Sequence, residues 1–421
     1  MDKFIVQNSS LRGTVSISGS KNAALPMMAA SLLTDKTCEF HRVPDLMDIR
    51  TMGRILEVLG KKVEFRAKKL VIRPGSGALR SSGLAPYQLV RTMRASFCCL
   101  GPLLAKNKKA KVALPGGCAI GVRPVDLHLK GLRELNARIE VQKGYCFGDG
   151  SQLKGARIYL GGPFGSSVLA TANVLMAAVL ARGRTVIEYA ACEPEIKALA
   201  EVLKKMGARL EGAGTPRIEI EGVRTLCGVV HEVPPDRIEA GTFIAAALGT
   251  KSSIELQGVD ASHLTSVTEV VKTMGGALQF RDDRCRVRAP RTLRPVNITT
   301  LPYPGFPTDL QAQFTVCLTL AKGISLITEK IYPDRFMHVQ ELNRMDAKIQ
   351  RTGPYAIIEG RRRLYGAEVM ASDLRASAAL VIAGLAAEGT TEILRVYHID
   401  RGYEHIERKL RKLGAKIRRI K

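Results

Sequence analysis

Leu59-Gly60-Lys61-Lys62-Val63 is one of six variants of a single local signature, and the recurrence decides the fold. The others are Leu135-Asn136-Ala137-Arg138-Ile139, Met206-Gly207-Ala208-Arg209-Leu210, Met274-Gly275-Gly276-Ala277-Leu278, Met345-Asp346-Ala347-Lys348-Ile349 and Leu413-Gly414-Ala415-Lys416-Ile417. In each, an amphipathic helix ends on Leu or Met. A Gly, Asn or Asp follows, the residue types that tolerate a left-handed cap, and a strand begins two residues later. The cap positions stand 68 to 76 residues apart, so six copies account for nearly the whole chain.

Upstream of every copy lies a second, apolar and alanine-rich stretch: 22–33, 92–104, 168–180, 238–248, 309–320 and 373–385. Helices apolar on all sides are buried helices. Most are followed by a basic or glycine turn and a β-branched strand, as in Gly183-Arg184-Thr185-Val186-Ile187-Glu188. Units of about 70 residues that bury one helix and expose another are too small to stand alone, and they pack in groups around shared cores. Two groups of three are expected. The linker falls in 221–236, which carries Gly222, Gly228, Pro234 and Pro235, and a cleft between the groups is the default ligand site.

Composition bounds the rest. The 421 residues are 46% hydrophobic, enough for well-packed cores, and no apolar run reaches membrane-spanning length. The first residues show no signal-peptide core, so a cytoplasmic location is expected. Nine cysteines form no CxxC pair, which supports neither a disulfide framework nor a structural metal; no metal and no cofactor are expected. The net charge of +25 attracts polyanions without choosing among them. The basic runs lack interleaved aromatics and the chain has no Trp, so nucleic acid is not an expected partner.

One stretch stands apart from the repeats: Leu114-Pro115-Gly116-Gly117-Cys118-Ala119-Ile120-Gly121-Val122-Arg123-Pro124, followed by Val125-Asp126-Leu127-His128. A structural cysteine is a small hydrophobe in a helix or strand, whereas Cys118 sits among glycines five residues before an arginine. Nearby cation and exposed amides favour a thiolate and anionic ligands, against the alternative of a glycine turn with an incidental cysteine. Asp309 and Asp373 open two of the buried stretches, where each is either an N-cap or a functional carboxylate. Ser18-Gly19-Ser20-Lys21-Asn22 opens the first, at a helix start that suits anions. Arg94, Arg123, Arg375 and Arg401 stand in short motifs with little other charge, either as anion forks or as ion-pair partners of aspartates.

These residues carry a family resemblance. Gly19-Ser20-Lys21-Asn22-Ala23-Ala24, Thr92-Met93-Arg94-Ala95-Ser96, 114–128, Glu193-Pro194-Glu195-Ile196, Asp236-Arg237-Ile238-Glu239, Gly305-Phe306-Pro307-Thr308-Asp309-Leu310-Gln311-Ala312-Gln313, Arg335-Phe336-Met337-His338, Asp373-Leu374-Arg375-Ala376-Ser377 and Tyr397-His398-Ile399-Asp400-Arg401-Gly402-Tyr403-Glu404 run from end to end of the chain. Together they resemble the UDP-N-acetylglucosamine 1-carboxyvinyltransferase family of enolpyruvyl transferases. The resemblance implies an α/β fold: a two-domain inside-out α/β barrel built from six βαβαββ repeats, three per domain. Residues 22–230 would form the first domain, 1–21 with 231–421 the second, and the active site would lie in the cleft between them.

It also implies a transferase of peptidoglycan precursor synthesis, and so of cell wall biogenesis, cell shape and cell division. The enolpyruvyl group of phosphoenolpyruvate would move to the 3′-hydroxyl of UDP-N-acetylglucosamine with release of phosphate. Its catalytic set would be Cys118, Asp309, Lys21 and Arg401. Cys118 would protonate the methylene carbon and Asp309 would take the sugar hydroxyl proton. Lys21, Arg123 and Arg401 would hold the phosphate and carboxylate. Asn22, Arg94, Asp309 and Ile331 would contact the nucleotide sugar, Arg123, Pro124, Val125, Asp126 and Leu127 the uridine end, and Arg375 would bind substrate. Two features depart from the family pattern: Ser167-Val168-Leu169-Ala170-Thr171-Ala172-Asn173 carries a bulky Leu169, and Gly165 stands where a nucleotide-contacting lysine can occur. The competing readings are a shikimate-type enolpyruvyl transferase, which lacks a loop cysteine, and an inactive or divergent paralogue binding a nucleotide sugar or another polyanion.

Overall fold

The computed structural model describes residues 2–75, 84–85, 87–90, 93–115 and 125–420. All six caps adopt the left-handed backbone that their residue types allow, at Gly60 (φ +87°), Asn136 (+67°), Gly207 (+103°), Gly275 (+89°), Asp346 (+68°) and Gly414 (+93°). The amphipathic helices that end on them are Met47–Val58, Asp126–Glu134, Pro194–Lys205, Thr265–Thr273, Met337–Arg344 and Ile406–Lys412. Each hands over to a strand that closes a four-stranded sheet, and six such sheets are present among the described residues. The recurring order is visible in Arg157–Tyr159, Arg184–Glu188, Arg217–Glu221 and Arg209–Glu211: one parallel pair followed by two antiparallel pairs. This is the inside-out α/β barrel, in which apolar helices form the interior and sheets the outer wall.

Two compact units share the chain. Gly19–Pro234 forms one, and Met1–Ser18 with Pro235–Lys421 forms the other. Each has its own hydrophobic core. The sheets explain why the N-terminus belongs with the C-terminal half. Lys3–Gln7 pairs antiparallel with both Thr390–Leu394 and Lys416–Ile420, and Arg12–Ser16 pairs parallel with Ser253–Gln257. Without these strands two sheets of that unit would each lose a member and expose unpaired edges.

The boundary between the units, at Pro234–Pro235, falls inside the segment 221–236 where a linker was expected, and one part of that segment is a strand. Val229–Glu232 pairs parallel with Cys38–His41 and completes the first sheet of its unit. The segment's glycines and prolines flank this closing strand. The passage between units is confined to the peptides Ser18–Gly19 and Pro234–Pro235.

The interior helices are Lys21–Ala30, Leu100–Asn107, Val168–Ala178, Arg237–Gly249, Gln311–Thr319 and Leu374–Ala386. Two differ from the expectation. The stretch 92–104 enters as a 3₁₀ segment, Arg94–Cys99, before the α-helix at Leu100. There the Gly101 N–H donates to Asn173 Oδ1 at 2.6 Å, and a Cβ on Gly101 would meet Asn173 O at 2.2 Å, so this contact fixes where the helix can run. Likewise 309–320 opens on a 3₁₀ turn, Thr308–Leu310, before the helix begins at Gln311. Gly241 permits that turn to seat, since a Cβ there would lie 2.3 Å from Leu310.

Candidate active site

Asp309 is not an N-cap. Pro307 occupies the cap position with no side-chain cap bond, which leaves the Asp309 carboxylate free to reach two guanidinium groups. Oδ1 accepts from Arg335 at 2.7 Å and Oδ2 from Arg375 at 2.7 Å. The arginine side chains are 9% and 4% exposed and Asp309 is 27% exposed, so the carboxylate is the outermost member of the clamp. Burial alone would push its proton affinity up, but Arg375 and Arg335 outweigh it and hold the carboxyl well below the usual carboxylate range.

A buried polar network backs the clamp. Arg375 Nη1 donates to Tyr403 Oη at 3.1 Å, and its guanidinium lies 5.4 Å from the Tyr403 ring centre. Tyr403 Oη is 2.8 Å from Thr242 Oγ1, and Gln313 Nε2 donates to both hydroxyls and to the Asp309 carbonyl. The Nε atoms of Arg335 and Arg375 are buried without a hydrogen-bond partner among the described residues. Buried donors are seldom left unmet, so each guanidinium has a capacity that a ligand acceptor can fill.

Asp373, by contrast, is an N-cap: its Oδ1 accepts from the N–H groups of Arg375 and Ala376 at 2.7 and 3.2 Å. That cap starts the helix which carries Arg375 into the clamp. Both readings of Arg375 therefore meet in one geometry, an ion pair with an aspartate and a fork with spare capacity. Arg401 ends the 3₁₀ segment Val396–Arg401, two residues before Tyr403.

In the other unit, Lys21 opens the helix Lys21–Ala30 behind the Ser20 cap, whose Oγ accepts from Ala23 N–H. Its ammonium pairs with Asp48 at 3.0 Å, with side chains 10% and 6% exposed. Asn22 follows, part-buried, on the same first turn. Val125, Asp126 and Leu127 start the helix Asp126–Glu134, anchored behind by buried His128, which faces Phe97 edge-on at 5.2 Å and lies 3.0 Å from Asn173 Nδ2. Leu169 packs against the core of this unit, on the first turn of Val168–Ala178. Gly165 has φ +94°, a backbone that a lysine would adopt only with strain. Cys118, Arg123 and Pro124 lie outside the described residues, as does the side chain of Arg94.

The sequence reading overlooked Arg335, Tyr403, Gln313 and Thr242 as site members. A signal was present, since Gln311, Gln313 and Thr315 interrupt an otherwise apolar interior helix. Nearby, His338 is buried beside Thr315, with Nε2 3.4 Å from Oγ1, and burial pulls its imidazole down to about 4. The neutral form is therefore favoured by folding. Its stabilisation is full above the ordinary value of 6.5 and is lost as pH falls towards 4, on the order of 3 kcal/mol. His338→Gln is expected to flatten the decline of the urea midpoint between pH 7 and pH 4. Parallel declines in both proteins would contradict this.

The EPSP synthase (3-phosphoshikimate 1-carboxyvinyltransferase) family matches residues 5–410. The chain belongs to this family of enolpyruvyl transferases. Among the family's members, a UDP-N-acetylglucosamine 1-carboxyvinyltransferase of Methylacidiphilum infernorum is 52% identical over 421 residues, covering 100% of this chain and 99% of the relative. A UDP-N-acetylglucosamine 1-carboxyvinyltransferase 2 of Carboxydothermus hydrogenoformans is 51% identical over 423 residues, with 100% of both chains covered. The fold recurs in an enolpyruvyl transferase from Streptomyces tendae (TM-score 0.89, 22% identity, 99% and 98% coverage). It recurs again in EPSP synthase from Acinetobacter baumannii (TM-score 0.79, 19% identity, complete coverage). No helix among the described residues is long and apolar enough to cross a membrane.

Proposed function

We propose that the chain transfers the enolpyruvyl group of phosphoenolpyruvate to the 3′-hydroxyl of UDP-N-acetylglucosamine, releasing phosphate. The observation that carries this is identity of about one residue in two, over the full length, to enzymes named for that activity. The Asp309 clamp supplies the chemistry within one unit, and Lys21 at its helix start supplies a cation in the other.

The reaction is an addition followed by an elimination. The thiol of Cys118 protonates the methylene carbon of phosphoenolpyruvate, and the 3′-oxygen bonds to the adjacent carbon while Asp309 accepts the hydroxyl proton. The carbon–oxygen bond to phosphate then breaks, a methyl proton passes to the Cys118 thiolate, the double bond re-forms, and the proton taken by Asp309 leaves with the phosphate. Phosphate and carboxylate flank the reacting carbon, so preorganised cations at Lys21, Arg123, Arg375 and Arg401 are required to hold these two anions and to stabilise the departing phosphate.

Asp309 in its free clamp is a weak base, because both oxygens are taken by guanidinium groups. An anionic substrate group that draws on Arg375 relaxes the clamp and raises the proton affinity of Asp309. The base is thus armed by the substrate that needs it. The remaining assignments follow the sequence: Asn22, Arg94 and Ile331 meet the nucleotide sugar, and 123–127 the uridine end.

Phosphate release from phosphoenolpyruvate tests the proposal. Release is expected with UDP-N-acetylglucosamine as acceptor and not with shikimate 3-phosphate. Release with shikimate 3-phosphate alone, or with neither acceptor in folded protein, would overturn it.

A further inference from the structure

Glu329 ends the strand Ile324–Glu329 with its side chain completely buried and no arginine or lysine in direct contact among the described residues. A buried carboxylate is costly unless hydrogen bonds satisfy it, and here four do. Oε1 accepts from Thr300 Oγ1 at 2.6 Å and from the N–H groups of Ile331 and Tyr332 at 2.9 and 3.0 Å. Oε2 accepts from Thr308 Oγ1 at 2.9 Å. The Thr308 hydroxyl has its proton committed to Glu329, so its lone pairs face outward, and Arg335 Nη1 donates to them at 3.0 Å. The same Nη1 holds Asp309 Oδ1 at 2.7 Å.

We propose that Glu329 is a positioning residue for the transfer reaction, fixing the acceptor direction of Thr308 so that Arg335 is aimed at Asp309, and fixing the Ile331 backbone at the same time. The inference rests on the function proposed above. One carboxylate thereby ties the reaction's base to the segment that meets the nucleotide sugar. Thr308 is the switch point of this route. With Glu329 in place its hydroxyl can only accept from Arg335; without a carboxylate it can rotate and present its proton to the guanidinium instead, which repels it. Arg335 then loses one of the two polar side chains, Thr308 and Asp309, that its guanidinium holds, and Asp309 loses the alignment of Oδ1. Thr300 bonds the same carboxylate but lies off the route, which makes it an internal control.

The test is steady-state kinetics on the full chain with phosphoenolpyruvate and UDP-N-acetylglucosamine, using Glu329→Gln, Thr308→Val, Thr308→Ser, Thr300→Val and the Glu329→Gln/Thr308→Val double variant. Glutamine keeps the volume and the Oε1 contacts but cannot accept the Thr308 proton at the second position. Glu329→Gln and Thr308→Val should each lower kcat at least tenfold while KM for either substrate moves less than threefold. The double variant should be no slower than Thr308→Val alone, because both changes cut one route. Thr308→Ser should restore most of kcat, and Thr300→Val should leave it within threefold. Multiplying effects in the double variant, equal losses in Thr300→Val and Thr308→Val, or full kcat in Thr308→Val would each overturn the proposal. An inactive unmodified protein would instead overturn the function on which it rests.

Discussion

Cys118→Ala should fold normally and turn over ~10²–10⁴-fold more slowly than the unmodified protein, the range expected when a positioned general acid is removed. The effect should fall on kcat, because alanine leaves phosphate and carboxylate contacts untouched. The other thiols set the contrast. Among the eight described cysteines, six are buried. Burial pushes Cys38 and Cys146 up to about 11 and Cys99, Cys285 and Cys317 up to about 12. Such thiols hold almost no thiolate at neutral pH and are closed to reagents. A small phosphonate epoxide should therefore inactivate the protein by alkylating Cys118, and the alanine variant should take up no label. Inactivation with the label on part-buried Cys192 or exposed Cys227 would refute the assignment.

Asp309→Asn should reduce kcat by a similar ~10²–10⁴-fold if the carboxylate takes the hydroxyl proton. Asparagine keeps the shape but carries no charge and a single acceptor oxygen, so both buried guanidinium groups lose their ionic partner and one also loses its hydrogen-bond acceptor. Breaking a buried pair in this way costs about 3–5 kcal/mol at the upper end. A lowered thermal midpoint should thus accompany the kinetic loss, and the two can be separated. Arg335→Lys keeps a charge beside Oδ1 but not the fork that spans Thr308 and Asp309. If Asp309 serves only to neutralise the arginines, Asp309→Asn will lose stability while kcat stays within threefold, and its role as base fails.

The architecture was legible because caps are local chemistry. Gly60, Asn136, Gly207, Gly275, Asp346 and Gly414 each needed a left-handed backbone, and residue type alone announces that requirement. The interior helices were legible for the same kind of reason, since a helix apolar on every side has nowhere to go but inside. The closing strands were harder. Val229–Glu232 sits in a segment rich in Gly and Pro, and only its partner Cys38–His41, 191 residues upstream, makes it a strand. Pairing over that distance leaves no periodic trace in so short a run.

At the site, motif position located Asp309 and Arg375 but not what they do to each other. Asp309 at a helix start read as either a cap or a functional carboxylate, and the structure gives the cap to Pro307 and the carboxylate to two arginines. Arg335 was hidden because its charge faces inward from an ordinary helix approach, and Glu329 because a strand-ending glutamate is usually solvated. Both are settled by burial, which no local pattern encodes.

The most direct measurement is to run the reaction in deuterium oxide and identify the products of phosphoenolpyruvate and UDP-N-acetylglucosamine by mass spectrometry and NMR. Addition followed by elimination passes through a methyl group, so the account predicts inorganic phosphate in equal amount with an enolpyruvyl ether on the 3′-oxygen, carrying deuterium at its vinyl carbon. Phosphate released without the ether, or an ether formed on shikimate 3-phosphate in place of the nucleotide sugar, would contradict it.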